Sequence, residues 1–170
     1  MVFGWLKKSK PKPSALDVYL GLRNQALTVK PSEIGVLPTL EMPNVWGLLM
    51  ETRYQEGVVT LVSLGDRTTS LYFSSGGGVI GAGKHAPVVD ATARFIALAQ
   101  EFCSQMQPTT TFPAPTLGNV RFYLLTFSSV LTAEVDEQDL GNDRHQLSPL
   151  FHQGHEVISN VRICTDQGQQ

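Results

Sequence analysis

Val45–Tyr54 (VWGLLMETRY), Val58–Leu64 (VVTLVSL) and Thr69–Phe73 (TSLYF) follow one another with only the turns Gln55-Glu56-Gly57 and Gly65-Asp66-Arg67 between them. All three runs are rich in β-branched and aromatic side chains, which suit a pleated surface. Connections this short join antiparallel neighbours, because a parallel crossover needs about a dozen residues or more. The stretch predicts a three-stranded meander, and the rest of the chain is read outward from it.

On its N-terminal side, Ser14 offers a helix cap with Asp17 three residues on as a capping-box partner. Leu16, Tyr19, Leu20 and Leu27 place a helix over residues 15–28, and Lys30-Pro31 ends it. Residues 31–43 read as a proline-containing loop. On the C-terminal side, Val88, Ala91, Phe95, Leu98, Phe102 and Met106 form one apolar stripe, so a long helix is predicted from Ala86 to Met106, with Pro87 in its first turn. Gln107 to Gly118 is a Thr/Pro-rich connector with no element of its own. Val120–Phe127 and Val130–Glu137 then predict a second hairpin around Ser128-Ser129, closed by Gly141-Asn142-Asp143. Ser148-Pro149 reads as a cap and first-turn proline of a final helix carrying Leu147, Leu150, Phe151, Ile158 and Val161.

The predicted order is α-βββ-α-ββ-α. The predicted class is α+β: a sandwich of helices around a five-stranded, mainly antiparallel sheet. In element count this resembles the profilin-like and roadblock-type regulatory domains. Those place two strands before the central helix and three after, and the resemblance attaches to no motif. The expected organisation is a basic tail over residues 1–13, one α+β domain over 14–166 and a frayed end over 167–170.

Of the 170 residues, 42% are hydrophobic and 16% charged, which suits a chain with a packed core. The net charge of −2 hides an asymmetry: Lys7, Lys8, Lys10 and Lys12 precede a body with nine basic and fifteen acidic side chains, net −6. A mildly acidic body lacks the basic stripe that nucleic acid requires, so no nucleic-acid partner is expected. The chain opens apolar (Met1-Val2-Phe3-Gly4-Trp5-Leu6) and only then turns basic, the reverse of a secretory signal. Cys103 and Cys164 form no CxxC motif and read as reduced thiols. The expected compartment is the cytoplasm. Phe3, Trp5 and Leu6 beside four lysines also have the chemistry for weak peripheral contact of residues 1–12 with an anionic membrane.

Between the meander and the long helix lies Ser74-Ser75-Gly76-Gly77-Gly78-Val79-Ile80-Gly81-Ala82-Gly83-Lys84-His85, with five glycines in eight residues. Gly76, Gly77, Gly78, Gly81, Gly83, Lys84 and His85 are the candidate ligand-binding residues. Gly78 to Lys84 fits GxxxxGK, where backbone amides at a helix start would cradle phosphate and the lysine would add a charge. His85 stands where Ser or Thr should hold magnesium, and the preceding strand belongs to an antiparallel meander. Gly76 to Gly81 fits GxGxxG too, without the βαβ unit that motif needs. The competing reading is a close β-to-α crossover, in which glycine lets the backbone slip under its neighbour.

His152 and His155 stand at helical i, i+3 spacing with Glu156 adjacent and His145 one loop away. The pattern matches neither HExxH nor HxxEH, so no metal is expected. The acidic run Glu134, Asp136, Glu137, Asp139 and Asp143 lacks the calcium-loop spacing and reads as a solvated edge. Ser74 and Ser75 lie outside a GxSxG elbow, and a triad of either with His85 and Asp90 has no pattern behind it. No catalytic residue and no cofactor is assigned. The reading is a cytoplasmic binding or regulatory module that acts through protein contacts, as a homo-oligomer (a homodimer by expectation) or with a protein partner. The exposed-looking loop residues Leu37, Leu40, Met42, Phe112 and Leu117 support it. The alternative is a phosphate- or nucleotide-binding protein, with or without enzymatic activity, that uses Gly76–Lys84.

Overall fold

The computed structural model describes residues 11–168. Helix α1 spans Ala15–Thr28, and its capping box is in place: the Ser14 hydroxyl accepts the Asp17 N–H at 3.1 Å, and the Asp17 carboxylate accepts the Ser14 N–H at 3.0 Å. A 3-10 turn, Pro31–Ile34, follows. The meander is β1 (Val45–Arg53), β2 (Val58–Leu64) and β3 (Thr69–Phe73), paired antiparallel with Met50 opposite Leu61 and Leu61 opposite Leu71. The second hairpin is β6 (Asn119–Thr126) and β7 (Val130–Asp136), with β6 alongside β1.

The sheet has seven strands, not the five expected. The additional two are β4 (Gly78–Val79), inside the glycine-rich loop, and β5 (Gln107–Thr109), inside the supposedly featureless connector. Neither carries an apolar alternation; each is a strand only because β3 or β7 lies beside it with pairing groups to offer. The order is β4-β3-β2-β1-β6-β7-β5, antiparallel throughout, so both extra strands sit at the edges. A two-residue strand and one built on Pro108 discourage further edge-to-edge pairing.

The helix predicted over 86–106 divides into α2 (Ala86–Ala99) and a 3-10 stretch, Gln100–Gln105. Gln100 marks the change. Its side-chain amide accepts the Val45 N–H at 2.9 Å and donates to the Val45 carbonyl at 2.8 Å, standing in for a strand partner at the head of β1. Phe102 and Met106 remain buried beyond it. The acidic run holds a short helix, α3 (Glu137–Gly141), started by the Asp136 carboxylate, which accepts the N–H groups of Gln138 and Asp139. In α4 (Ser148–Gln167) the capping position is Leu147 rather than Ser148, whose buried hydroxyl has no partner among the described residues.

Alternation along the strands sends two sets of side chains to opposite faces. Leu48, Met50, Leu61, Leu71, Phe122 and Leu124 meet α2 and α4 through Val88, Phe95, Leu150 and Val157. Gly154 is where α4 crosses the core: a Cβ there would lie 2.6 Å from the Met50 sulfur and 3.0 Å from Phe95. The other face presents Trp46, Leu49, Val62, Tyr72 and Tyr123 to Tyr19, Ala26 and Leu27 of α1. Along that face α1 passes from the glycine-rich loop at Ala15, over Thr60 of β2 at Tyr19, to Glu51 of β1 at Arg23. No described helix is long and apolar enough to cross a membrane.

Candidate functional site

The glycine-rich loop wraps the end of β3 and enters α2. Gly83 passes so close to the turn between β2 and β3 that a Cβ would fall on the Arg67 carbonyl oxygen, and a Cβ on Gly78 would fall on that of Leu71. Gly81 opens a 3-10 turn, Ala82–Lys84, at φ 73°, a left-handed conformation that glycine adopts without strain. Gly76 and Gly77 make the turn between β3 and β4, where the Phe73 N–H donates to the Gly77 carbonyl. Lys84 and His85 are exposed at the start of α2, and His85 caps it without a side-chain hydrogen bond. Gly78 and Gly83 therefore allow close backbone approach, whereas Gly76, Gly77 and Gly81 are set apart by positive φ, and Gly77 and Ile80 lie on the α1 side of the sheet.

His152 and His155 line one surface recess with Glu137 and Phe151 but have different partners. His152 Nε2 lies 2.7 Å from the Asp143 carboxylate on the surface. His155 is mostly enclosed, 4.4 Å from the Phe151 ring centre, and its Nε2 has no partner among the described residues. Burial lowers its pKa; the negative charge of Glu137 opposes this in part, and His152 and Arg162 push the same way as burial. Glu137 is shared with Tyr54, whose hydroxyl donates to it at 2.7 Å; burial and that bond raise the phenol to about 12. Among the described residues no three His, Cys, Asp or Glu side chains converge as a metal site requires. Cys103 and Cys164 are free thiols, and burial pushes the Cys103 pKa up.

The most deeply buried ion pair among the described residues is one that motif reading does not single out. Arg23 of α1 grips Glu51 of β1 in a two-pronged ion pair, Nε to Oε1 at 2.6 Å and Nη2 to Oε2 at 2.7 Å, with Glu51 fully buried. Thr60 of β2 donates to the same carboxylate at 2.9 Å, and the Tyr19 hydroxyl sits 2.9 Å from Thr60. Arg23 also donates to the carbonyls of Phe112 at 3.0 Å and Pro113 at 3.4 Å, fastening the connector. Phe112 stacks edge-on against Tyr123, 5.7 Å between centres. Burial works to lower the Arg23 pKa, but the bond to Glu51 and its charge outweigh it and raise it. The signal was present in the sequence: Arg23 shares a helical face with Tyr19 and Leu27, and Glu51 interrupts an apolar strand.

Beyond that fastening, α1 overhangs the sheet. Its Val18 side leaves a groove above β2, β3 and the glycine-rich loop. One cavity of about 160 Å³ is lined by Ala15, Val18, Leu22, Tyr72 and Gly77. A second, of about 250 Å³, continues past Leu22 and Tyr72 to Val29, Ile34, Val62 and Ile80. Val18 is 49% exposed and Ile80 69%. The Ser70 hydroxyl at the groove floor is buried and has no partner among the described residues. Of the loop residues that suggested a contact surface, Leu37, Leu40 and Leu117 are exposed, whereas Met42 and Phe112 pack against the core. No protein family, no characterised protein and no solved structure gives a significant match to this chain.

Proposed function

We propose that this chain is a non-catalytic, cytoplasmic binding or regulatory module that acts through protein contacts, with a second copy or another protein, and that the groove beside α1 is its contact surface. The observation that carries this is the largely apolar lining from Val18 and Leu22 to Ile34 and Ile80, interrupted by Gln25, Asp66 and Thr68 and open to solvent along one side of the helix. Single exposed apolar residues are ordinary; a largely apolar groove is the feature that marks contact sites. The blocked sheet edges favour docking onto the face over strand addition.

Selection of displayed peptides on the full chain tests the reading, with sedimentation equilibrium alongside. Apolar-rich peptides, or self-association, are expected, and either is lost in Ile80→Asp, a change at an exposed site. A strict monomer that selects no peptide sensitive to Ile80→Asp would reject the proposal.

Nucleotide binding at Gly76–Lys84 has less support, since Gly78 and Gly83 are needed for the backbone crossing. ATP, GTP and NAD, with or without magnesium, are expected to leave the melting temperature unchanged. A ligand at a hundred times its Kd would stabilise by about 2.7 kcal/mol, a shift of roughly 5–11 °C for a domain of this size. Such a shift, abolished by Lys84→Ala, would replace the binding-module reading with the nucleotide one.

A further inference from the structure

Leu40 is 97% exposed, and its backbone is held in that position. Thr39 and Met42 exchange backbone hydrogen bonds of 3.2 and 3.3 Å, and the Thr39 hydroxyl accepts the Met42 N–H at 3.0 Å. With Pro38 and Pro43 on either side, Leu40 and Glu41 stand at the tip of a fixed turn. One exposed leucine needs no explanation, but this one borders a cavity of matching chemistry.

The same turn, through Thr39, Glu41 and Met42, forms one wall of a cavity of about 280 Å³. The remaining walls include Leu64 of β2, Arg67 of the β2–β3 turn, and Val89, Ala93 and Ile96 on the flank of α2. The Thr92 hydroxyl beside them is already bonded to that of Thr69 at 2.9 Å, and the Thr39 hydroxyl serves its own turn, so the cavity calls for an apolar side chain. It has the room of about nine water molecules, ample for a leucine. Leu40 itself projects away from the cavity that its own turn borders. Charge is a second observation. Glu41 and Arg67 both line the cavity, both are exposed, and neither joins an ion pair among the described residues.

A knob beside a hole, with an acid and a base on the same rim, is self-complementary under a two-fold axis: what one copy offers, the other receives. We propose that two copies of this chain associate at this face, each inserting Leu40 between the α2 flank and the β2–β3 turn of the other, with Glu41 of each set against the partner's Arg67. The fixed turn keeps the ordering cost of the contact low. The contact does not involve α1, so it leaves the α1 groove to another protein, and peptide selection alone then tests that groove.

Sedimentation equilibrium of the full chain at up to about 1 mM, the range of weak association, is expected to show a dimer. Leu40→Asp and Ala93→Asp, both at exposed positions, should each raise its Kd about a hundredfold with the melting temperature unchanged, because symmetry enters each change twice. Glu41→Arg and Arg67→Glu should each weaken association about tenfold, and the doubly reversed chain should recover the parent Kd to within about threefold. The proposal fails if the parent chain is monomeric throughout, if the dimer survives both Leu40→Asp and Ala93→Asp, or if the double reversal stays as weak as the single ones. A dimer lost in Ile80→Asp and retained in Leu40→Asp would overturn it and move self-association to the α1 groove. A dimer that needs Leu40 and survives Ile80→Asp supports it, and the response of selected peptides to Ile80→Asp then decides the groove separately.

Discussion

On one face of the sheet, α2 and α4 press Phe95, Leu150 and Val157 onto Leu48, Leu61 and Phe122, an interface without a buried ion pair among the described residues, closed mainly by apolar packing with neutral contacts such as the Thr69–Thr92 hydroxyl pair. On the other, a single 14-residue helix is fastened by a buried ion pair, Arg23 to Glu51, and leaves apolar flanks exposed on both sides. The first arrangement is tolerant in chemistry and strict in volume; the second is strict in chemistry and loose in volume. A face held at one polar point can keep an open groove beside the fastening, because its attachment does not depend on covering the sheet. That is the physical reason to look for contacts on the α1 side.

The largest expected effect tests the fastening. Arg23→Met should destabilise by about 3–5 kcal/mol, because it strands the Glu51 carboxylate in the interior. Adding Glu51→Leu should restore much of that loss, and urea denaturation of the four proteins in the cycle measures the coupling. A single-variant cost below about 1 kcal/mol would mean that α1 is held mainly by its apolar contacts, and the contrast between the faces would disappear.

A pair of glycine-to-alanine changes sharpens the volume side. Gly83 lies at the foot of α2, next to buried Ala82, with the Arg67 carbonyl where a Cβ would go, so Gly83→Ala should cost about 3 kcal/mol, at the upper end of overpacking penalties. Gly21 in the middle of α1 has nothing within 4 Å of its Cβ position, so Gly21→Ala should stabilise by about 0.5–1 kcal/mol through backbone entropy. Thermal melts that gave both changes the same sign would contradict the assignment of one tight and one open environment.

The smallest effect concerns pH on the α4 side. His155 has its pKa lowered by burial, so below its ordinary value of 6.5 the unfolded chain takes up the proton more readily than the folded one. The stability it contributes is complete above about pH 6.5 and falls as pH drops toward the lower folded value. Glu137, His152, Arg162 and the Phe151 ring are the groups around it. His155→Phe should flatten the dependence of urea midpoint on pH between about 7 and 5. An unchanged slope would place the titration on other groups.

Much of this architecture was legible along the chain. The β-branched and aromatic runs of β1, β2 and β3 with their short turns, the Ser14 cap and the α2 stripe are local signals, because period, propensity and capping act within a few residues. The two edge strands were not legible: Gly78–Val79 and Gln107–Thr109 have no pattern of their own and become strands only beside β3 and β7. The end of α2 at Ala99 depends on Gln100 meeting Val45, 55 residues away in sequence.

The candidate surface divides in the same way. The glycine cluster was conspicuous in the sequence, yet the need for Gly83 and Gly78 comes from carbonyls of Arg67 and Leu71 in the neighbouring turn and strand, which only the folded pairing brings against them. Arg23 and Glu51 were each visible as a charge in an apolar setting, but their partnership across 28 residues needed α1 laid over β1. By itself the sequence determined the three main helices, the five longer strands, the antiparallel class and the charge division between tail and body. Only the tertiary structure decided the edges of the sheet, the buried ion pair and the groove beside α1, because each is made by groups distant in sequence that meet only when the sheet and helices pack.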